Sequence, residues 1–189
     1  MTAYWQLWTK AFTPTECAEI VAHMLKQQPV KAVIGHGGTT TESEMRKSTV
    51  YWLNRTEPML WDMYARIDNM VRRSNAEAFG FDISHNYEVQ GTEYNGSCCG
   101  KYDWHEDNTW VPKNGRVFDR KLSVVLQLSP RGNYEGGRLE LERDNLNEEQ
   151  FRDAGDLIIF PSFLRHRVIP VTKGVRHSLV TWYQGPRFR

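Results

Sequence analysis

Between residues 87 and 183 the chain is a series of short apolar runs broken by turns, and that rhythm leaves few folds open. The runs 87–90, 122–128, 138–141, 156–160, 167–171 and 179–183 are each of strand length. Ser129-Pro130-Arg131-Gly132-Asn133, Glu135-Gly136-Gly137 and Thr172-Lys173-Gly174 supply turn signals among them. Many short strands at such spacing predict a sandwich or barrel.

The first half reads differently. Thr13-Pro14-Thr15-Glu16 predicts a helix start: Thr13 caps, Pro14 suits the first helical position and Glu16 completes a capping box. Cys17, Ile20, Val21, Met24 and Leu25 recur at helical spacing, and Gln27-Gln28-Pro29 ends the pattern. A second helix is expected from Pro58, with Leu60, Met63, Tyr64, Ile67, Met70 and Val71 as its buried stripe and Gly80 past its end. Residues 49–53 predict a strand, and the glycines and threonines of 33–43 predict a loop. The expectation is one mainly β domain with flanking helices (α+β) over 1–189. Helical support occupies about 12–80 and a barrel-like core about 87–185.

Composition narrows the partners. A formal net charge of +1 gives no electrostatic case for nucleic acid or an anionic membrane. No apolar run is long enough to span a bilayer, and residues 1–10 lack the pattern of a secretory signal. Cys17, Cys98 and Cys99 are odd in number, two are adjacent, and none has a zinc spacing; structural thiols in a reducing cytoplasm are expected.

The chemistry begins at His105-Glu106-Asp107. On a strand, residues i and i+2 share a face, so His105 and Asp107 could meet one metal while Glu106 points away. A solvated polar turn is the plain alternative. His166, after the run 156–160 and Pro161-Ser162, could close against them across a barrel. Two imidazoles and one carboxylate leave three positions open on an octahedral ion, the arrangement of non-haem iron(II) oxygenases. Arg176 follows His166 by ten residues on a later strand; its planar cation suits a carboxylate, such as the distal one of 2-oxoglutarate. Ser178 shares that face, as do Val180 and Trp182.

These residues carry a resemblance. Tyr94-Asn-Gly-Ser-Cys-Cys-Gly-Lys-Tyr102-Asp-Trp-His105-Glu-Asp107 resembles a segment of the prolyl 4-hydroxylase-like 2-oxoglutarate oxygenases. Arg120 to Leu128, Tyr134 to Leu141, Ala154 to Ser162 and His166 to Arg176 are similar to the segments that follow it there, in the same order. The wording is nearest to the bacterial and phage PKHD-type hydroxylases, over about residues 87–185. The resemblance implies a double-stranded β-helix, the jelly-roll or cupin-like core, with the N-terminal helices outside. It implies His105, Asp107 and His166 as iron(II) ligands. It implies Arg176 as the 2-oxoglutarate anchor and Tyr94 beside the co-substrate or metal. Oxygen is the other co-substrate, and ascorbate a candidate accessory.

Tyr102, Arg120 and Trp182 are candidate substrate-lining residues on the same ground, each with packing or a surface ion pair as its alternative. Some relatives place a tyrosine where Gln127 stands, so Gln127 is a candidate co-substrate contact that departs from the pattern; Ser178 is the candidate replacement for a threonine that is Val180 here. The implied reaction hydroxylates a prolyl residue of a peptide or protein and yields succinate and carbon dioxide. Free proline or another small metabolite is the alternative substrate. A nucleic-acid demethylase would carry a second arginine where Trp182 stands. A metal-free or zinc-filled binding module would keep the barrel without the chemistry. Residues 35–47, with their glycines and with Arg46 and Lys47, are a candidate substrate lid or a plain loop.

Overall fold

Alternation along a strand sends successive side chains to opposite faces of its sheet. In the computed structural model, which describes residues 3–31, 45–84, 86–108, 118–143, 146–147 and 149–188, that rule sorts the core into two parts. Leu157 and Ile159 face the helices, whereas Ile158 and Phe160 of the same run face the other way. Leu122, Val124 and Leu126 join the first side and Val125 the second.

Twelve strands are described: β1 (Gln6–Trp8), β2 (Pro29–Lys31), β3 (Arg46–Lys47), β4 (Thr49–Leu53), β5 (Asn86–Asn95), β6 (Lys101–His105), β7 (Phe118–Gln127), β8 (Tyr134–Gly136), β9 (Leu139–Leu141), β10 (Leu157–Pro161), β11 (His166–Val168) and β12 (Val171–Pro186). The major sheet runs β1-β10-β7-β12-β5-β4-β2, with β8 also on β12. The minor sheet runs β3-β6-β11-β9, and every pairing is antiparallel. Between the sheets lie Tyr94, Val125, Ile158 and Phe160 from one side and Leu139, Leu141 and Val168 from the other. This is the expected double-stranded β-helix.

Helices α1 (Pro14–Met24) and α2 (Trp61–Ser74) cover the outer face of the major sheet. The Thr13–Glu16 capping box forms as read. All six residues of the expected α2 stripe are buried, and Gly80 ends the helical run with φ 69°. Among the described residues, no helix is long and apolar enough to cross a membrane.

Three local expectations fail. Helix α1 stops at Met24, so Leu25 lies past the amphipathic stretch and is 47% exposed. Thr172-Lys173-Gly174 is not a turn but part of β12, bent by a register shift against β8. Gly174 takes φ 69° there, and a Cβ would meet the Asn133 carbonyl oxygen at 2.0 Å. The run 167–171 is split between β11 and β12 at Pro170, which has no N–H for a ladder. The loop read over 33–43 lies outside the described residues.

Ile159 tests the helix-facing core. It is fully buried on β10, between β1 and β7. Ile159→Ala is expected to cost about 2–5 kcal/mol. That corresponds to a fall of roughly 5–15 °C in the melting temperature, read by circular dichroism.

Candidate metal centre and co-substrate pocket

His105 is the last residue of β6, and Glu106 and Asp107 have already left the strand. Strand alternation is therefore not what brings His105 and Asp107 together. The chain bends after His105 because the Asp107 and Asn108 amides both donate to the Ser162 carbonyl, at 2.9 and 3.1 Å. His166 opens β11, directly opposite His105 in the antiparallel β6–β11 pair. The two imidazoles are thus cross-strand neighbours, with ring centroids 4.1 Å apart.

The His105 Nε2 lies 3.7 Å from Asp107 Oδ1, and the His166 Nε2 lies 3.5 Å from Asp107 Oδ2. One ligand atom from each residue fits within 4.8 Å of the others, compact enough for a single ion. The far side of each ring is occupied. His105 Nδ1 is 2.7 Å from the Asp103 carbonyl, and His166 Nδ1 is 2.9 Å from the Leu164 carbonyl. A carbonyl only accepts, so each Nδ1 carries a proton and donates outward, and each Nε2 faces the centre. Ser123 Oγ donates to Asp107 Oδ2 at 2.7 Å and orients the carboxylate.

Protonation favours metal binding. Burial, then the facing His166 imidazole, holds the His105 pKa well below the usual histidine range, so the ring is a neutral donor. Burial alone raises the Asp107 pKa, but His166, His105, Arg120 and Ser123 outweigh it and keep the carboxyl ionised. Tyr102 stacks on His105 at 3.4 Å, and Phe160 meets His166 edge-on at 4.8 Å.

Arg176 lies on β12, opposite Tyr94 of β5. It is 2% exposed, and its guanidinium carbon sits 5.6 Å from the centroid of the Tyr94 ring. Its Nη1 is sealed from solvent without a hydrogen-bond partner, and among the described residues no carboxylate pairs with it. A buried cation so left is costly unless a ligand brings the opposite charge. Burial raises the Tyr94 pKa, so its hydroxyl stays protonated as a donor. Ser178, two residues on, is 1% exposed and pairs with Gln127 in register. The Gln127 amide nitrogen is already spent on the Ser129 carbonyl, at 2.9 Å, and on the Tyr134 hydroxyl, at 3.1 Å.

The three candidate substrate-lining residues sit nearby. Tyr102 covers His105, and burial pushes its hydroxyl up to about 12. Arg120 lies 3.8 Å over the Trp182 ring and pairs with Glu88 at 2.7 Å. Trp182 is 6% exposed, with its indole nitrogen unpartnered. Of the candidate lid, 35–44 lies outside the described residues, and Arg46 and Lys47 form strand β3 against β6 instead of loop.

Comparison with known proteins places the chain in a family. The 2OG-Fe(II) oxygenase superfamily matches residues 89–184, half of the chain. The chain belongs to this superfamily. A PKHD-type hydroxylase of Hyphomonas neptunium is 41% identical over 91 residues, which cover 47% of this chain and 41% of that relative. The match thus spans about two fifths of the relative's length. Among solved structures, a Pseudomonas putida prolyl-4-hydroxylase superposes with a TM-score of 0.73 at 18% identity, covering 98% of this chain and 95% of the other. A Trichoplax adhaerens prolyl hydroxylase, solved with a peptide fragment of the hypoxia inducible factor oxygen degradation domain, gives 0.74 at 18% identity over 95% and 83%. At such identity these two establish the fold.

A 2OG-Fe(II) oxygenase uses iron(II), 2-oxoglutarate and oxygen. The residues present fit those groups: two imidazoles with Nε2 turned to the centre and an ionised carboxylate suit a ferrous ion, and an uncompensated guanidinium suits a dicarboxylate. Sequence reading passed over two residues. Ser123 is a small polar residue in an apolar run, and only the sheet register places it beside Asp107. Tyr134 lies across Gly137 from Arg176: a Cβ on Gly137 would meet Arg176 Cδ at 3.0 Å and Tyr134 Cδ2 at 3.4 Å.

Proposed function

We propose that this chain is an iron(II)- and 2-oxoglutarate-dependent dioxygenase that hydroxylates a prolyl residue in a peptide or protein. The observation that carries the reading is the joint one: His105, Asp107 and His166 converge within 4.8 Å, and an uncompensated Arg176 lies buried on a strand of the facing sheet. The prolyl assignment is supported by the two prolyl hydroxylases that share the fold. The three free thiols support a cytoplasmic setting.

Iron(II), when bound, supplies the activation of oxygen that inserts a hydroxyl group into a C–H bond. Everything else falls to the chain. His105, Asp107 and His166 hold the ion. Asp103, Leu164 and Ser123 fix their orientation. Arg176 pairs with the distal carboxylate of 2-oxoglutarate, and Ser178 and Tyr94 add hydroxyl donors. Phe160 and Tyr102 pack against the ligand rings and exclude water.

The test is succinate release from 2-oxoglutarate under air, with iron(II) and ascorbate, with and without a proline-rich peptide. Iron-dependent succinate and a peptide gaining one oxygen support the reading; no succinate under any condition overturns it.

We assign Tyr134 as a second donor to the distal carboxylate, in the place that some relatives give to a tyrosine at the position of Gln127. Its hydroxyl accepts from Gln127 and keeps its own proton to give. Tyr134→Phe is expected to raise the KM for 2-oxoglutarate by about tenfold, the worth of one hydrogen bond to a charged group. An unchanged KM removes the assignment.

A further inference from the structure

Arg46 is a second buried guanidinium at the metal centre that the reaction above does not use. It lies on β3 opposite Tyr102 of β6, so the two side chains share one face of the minor sheet. Its guanidinium carbon sits 4.4 Å above the Tyr102 ring, and that ring stacks at 3.4 Å on His105. The close-stacked imidazole fills one face of Tyr102 and leaves the other to the arginine. Arg46, Tyr102 and His105 therefore form three layers, with Arg46 outermost.

Charge accounting singles Arg46 out. It is only 9% exposed, and its Nε donates to a neutral partner, Ser48 Oγ, at 2.9 Å. Glu88 is taken by Arg120 and Asp107 by the ligand cluster. Asp103 follows Tyr102 on β6 and so points to the opposite face. Among the described residues no carboxylate pairs with Arg46; its contacts are the Ser48 hydroxyl and the Tyr102 ring. Burying a cation without a counter-charge is unfavourable, and a ligand that brings the counter-charge removes the cost. The co-substrate does not reach it, because its distal carboxylate belongs to Arg176 and the Tyr102 ring separates Arg46 from the ligand cluster.

We propose that Arg46 is a substrate anchor and that it takes a carboxylate carried by the prolyl substrate close to the carbon that is hydroxylated. This rests on the hydroxylase reading above and makes it narrower. The carboxylate has two sources, the α-carboxylate of free proline or an acidic residue next to a prolyl residue in a peptide.

Calorimetry under anaerobic conditions, on enzyme loaded with iron(II) and 2-oxoglutarate, tests the proposal with two probe pairs. One pair is L-proline and L-prolinamide; the other is a blocked Asp-Pro-Gly peptide and its Asn-Pro-Gly counterpart. Wild type is expected to bind the carboxylate member of one pair about tenfold or more tighter, as a charge-assisted hydrogen bond allows. The pair that shows the gap names the source. In Arg46→Gln the gap should close to within about threefold. Arg46→Lys, which keeps the charge without the planar fork, should retain part of it. Lys47→Gln, altering the neighbouring cation on the opposite face, should leave the gap intact. Kinetics supply the second readout, since the KM for the carboxylate substrate should rise while that for 2-oxoglutarate moves less than about twofold.

A gap that survives in Arg46→Gln, the absence of a gap in both pairs, failure of all four probes to bind, or a rise in the 2-oxoglutarate KM equal to that for substrate would each overturn the proposal. Failure of the hydroxylase reading looks different, because 2-oxoglutarate itself would then neither bind nor be turned over.

Discussion

Alanine at Asp107 is expected to cost the protein its iron and its turnover together. On the proposed reading Asp107 would supply the anionic ligand of the three, and it faces both histidines, at 3.7 and 3.5 Å. Without it, two imidazoles remain, and neither brings a negative charge to offset that of a ferrous ion. The drop in iron affinity should exceed the roughly 10–100-fold that loss of an outer-shell partner costs. Ser123→Ala removes such a partner and should fall inside that range, which calibrates the larger effect. Metal content after anaerobic loading and succinate release measure both variants. The apo melting temperature should also fall by a few degrees, because the partners of Asp107 outweigh its burial and the ionised carboxylate stabilises the fold. An Asp107→Ala protein that melts like wild type and still binds iron with wild-type affinity would remove Asp107 from the ligand set.

How much of this was legible in the sequence depended on the range of the interactions involved. The capping box at Thr13 and the α2 stripe are local, and both appear as read. So do most strands of the core, because alternation and turn residues act within a few positions. His105, Asp107 and His166 are legible as residue types in order, and the structure brings them together, but not by strand alternation. His105 and Asp107 meet through a bend held by the Ser162 carbonyl, and His166 meets them through the β6–β11 register. Both are contacts between distant segments, which no spacing rule encodes. The same holds for Ser123, Tyr134 and Arg46. The neighbours of Arg46 in sequence are loop-like, so sequence alone groups it with a glycine-rich lid. Its actual neighbour is Tyr102, more than fifty residues away, across a strand pair of two residues. Thr172-Lys173-Gly174 failed in the opposite direction: good turn chemistry was absorbed into a long strand because β8 and β5 pair along β12.

Arg176→Met separates a structural arginine from a ligand-binding one by opposite signs. Arginines that support a fold have partners, and methionine in their place lowers stability. The guanidinium of Arg176 is instead buried beside Tyr94, with Nη1 unsatisfied. Methionine fills a similar volume without the desolvation cost, so the apo melting temperature should hold or rise, in the direction of the roughly 1–4 kcal/mol that replacing a buried ion pair by apolar groups can gain. With 2-oxoglutarate present the order should reverse. At a hundred times its dissociation constant the co-substrate adds about 2.7 kcal/mol to wild type, a shift of roughly 5–10 °C. Arg176→Met should lose most of that shift, because two charge-assisted hydrogen bonds worth about 3 kcal/mol together are gone. The KM for 2-oxoglutarate should rise roughly a hundredfold. Paired thermal melts with and without 2-oxoglutarate decide the matter. A variant that melts well below wild type in the apo form, yet gains the full co-substrate shift, would assign Arg176 to the fold and leave the dicarboxylate without its anchor.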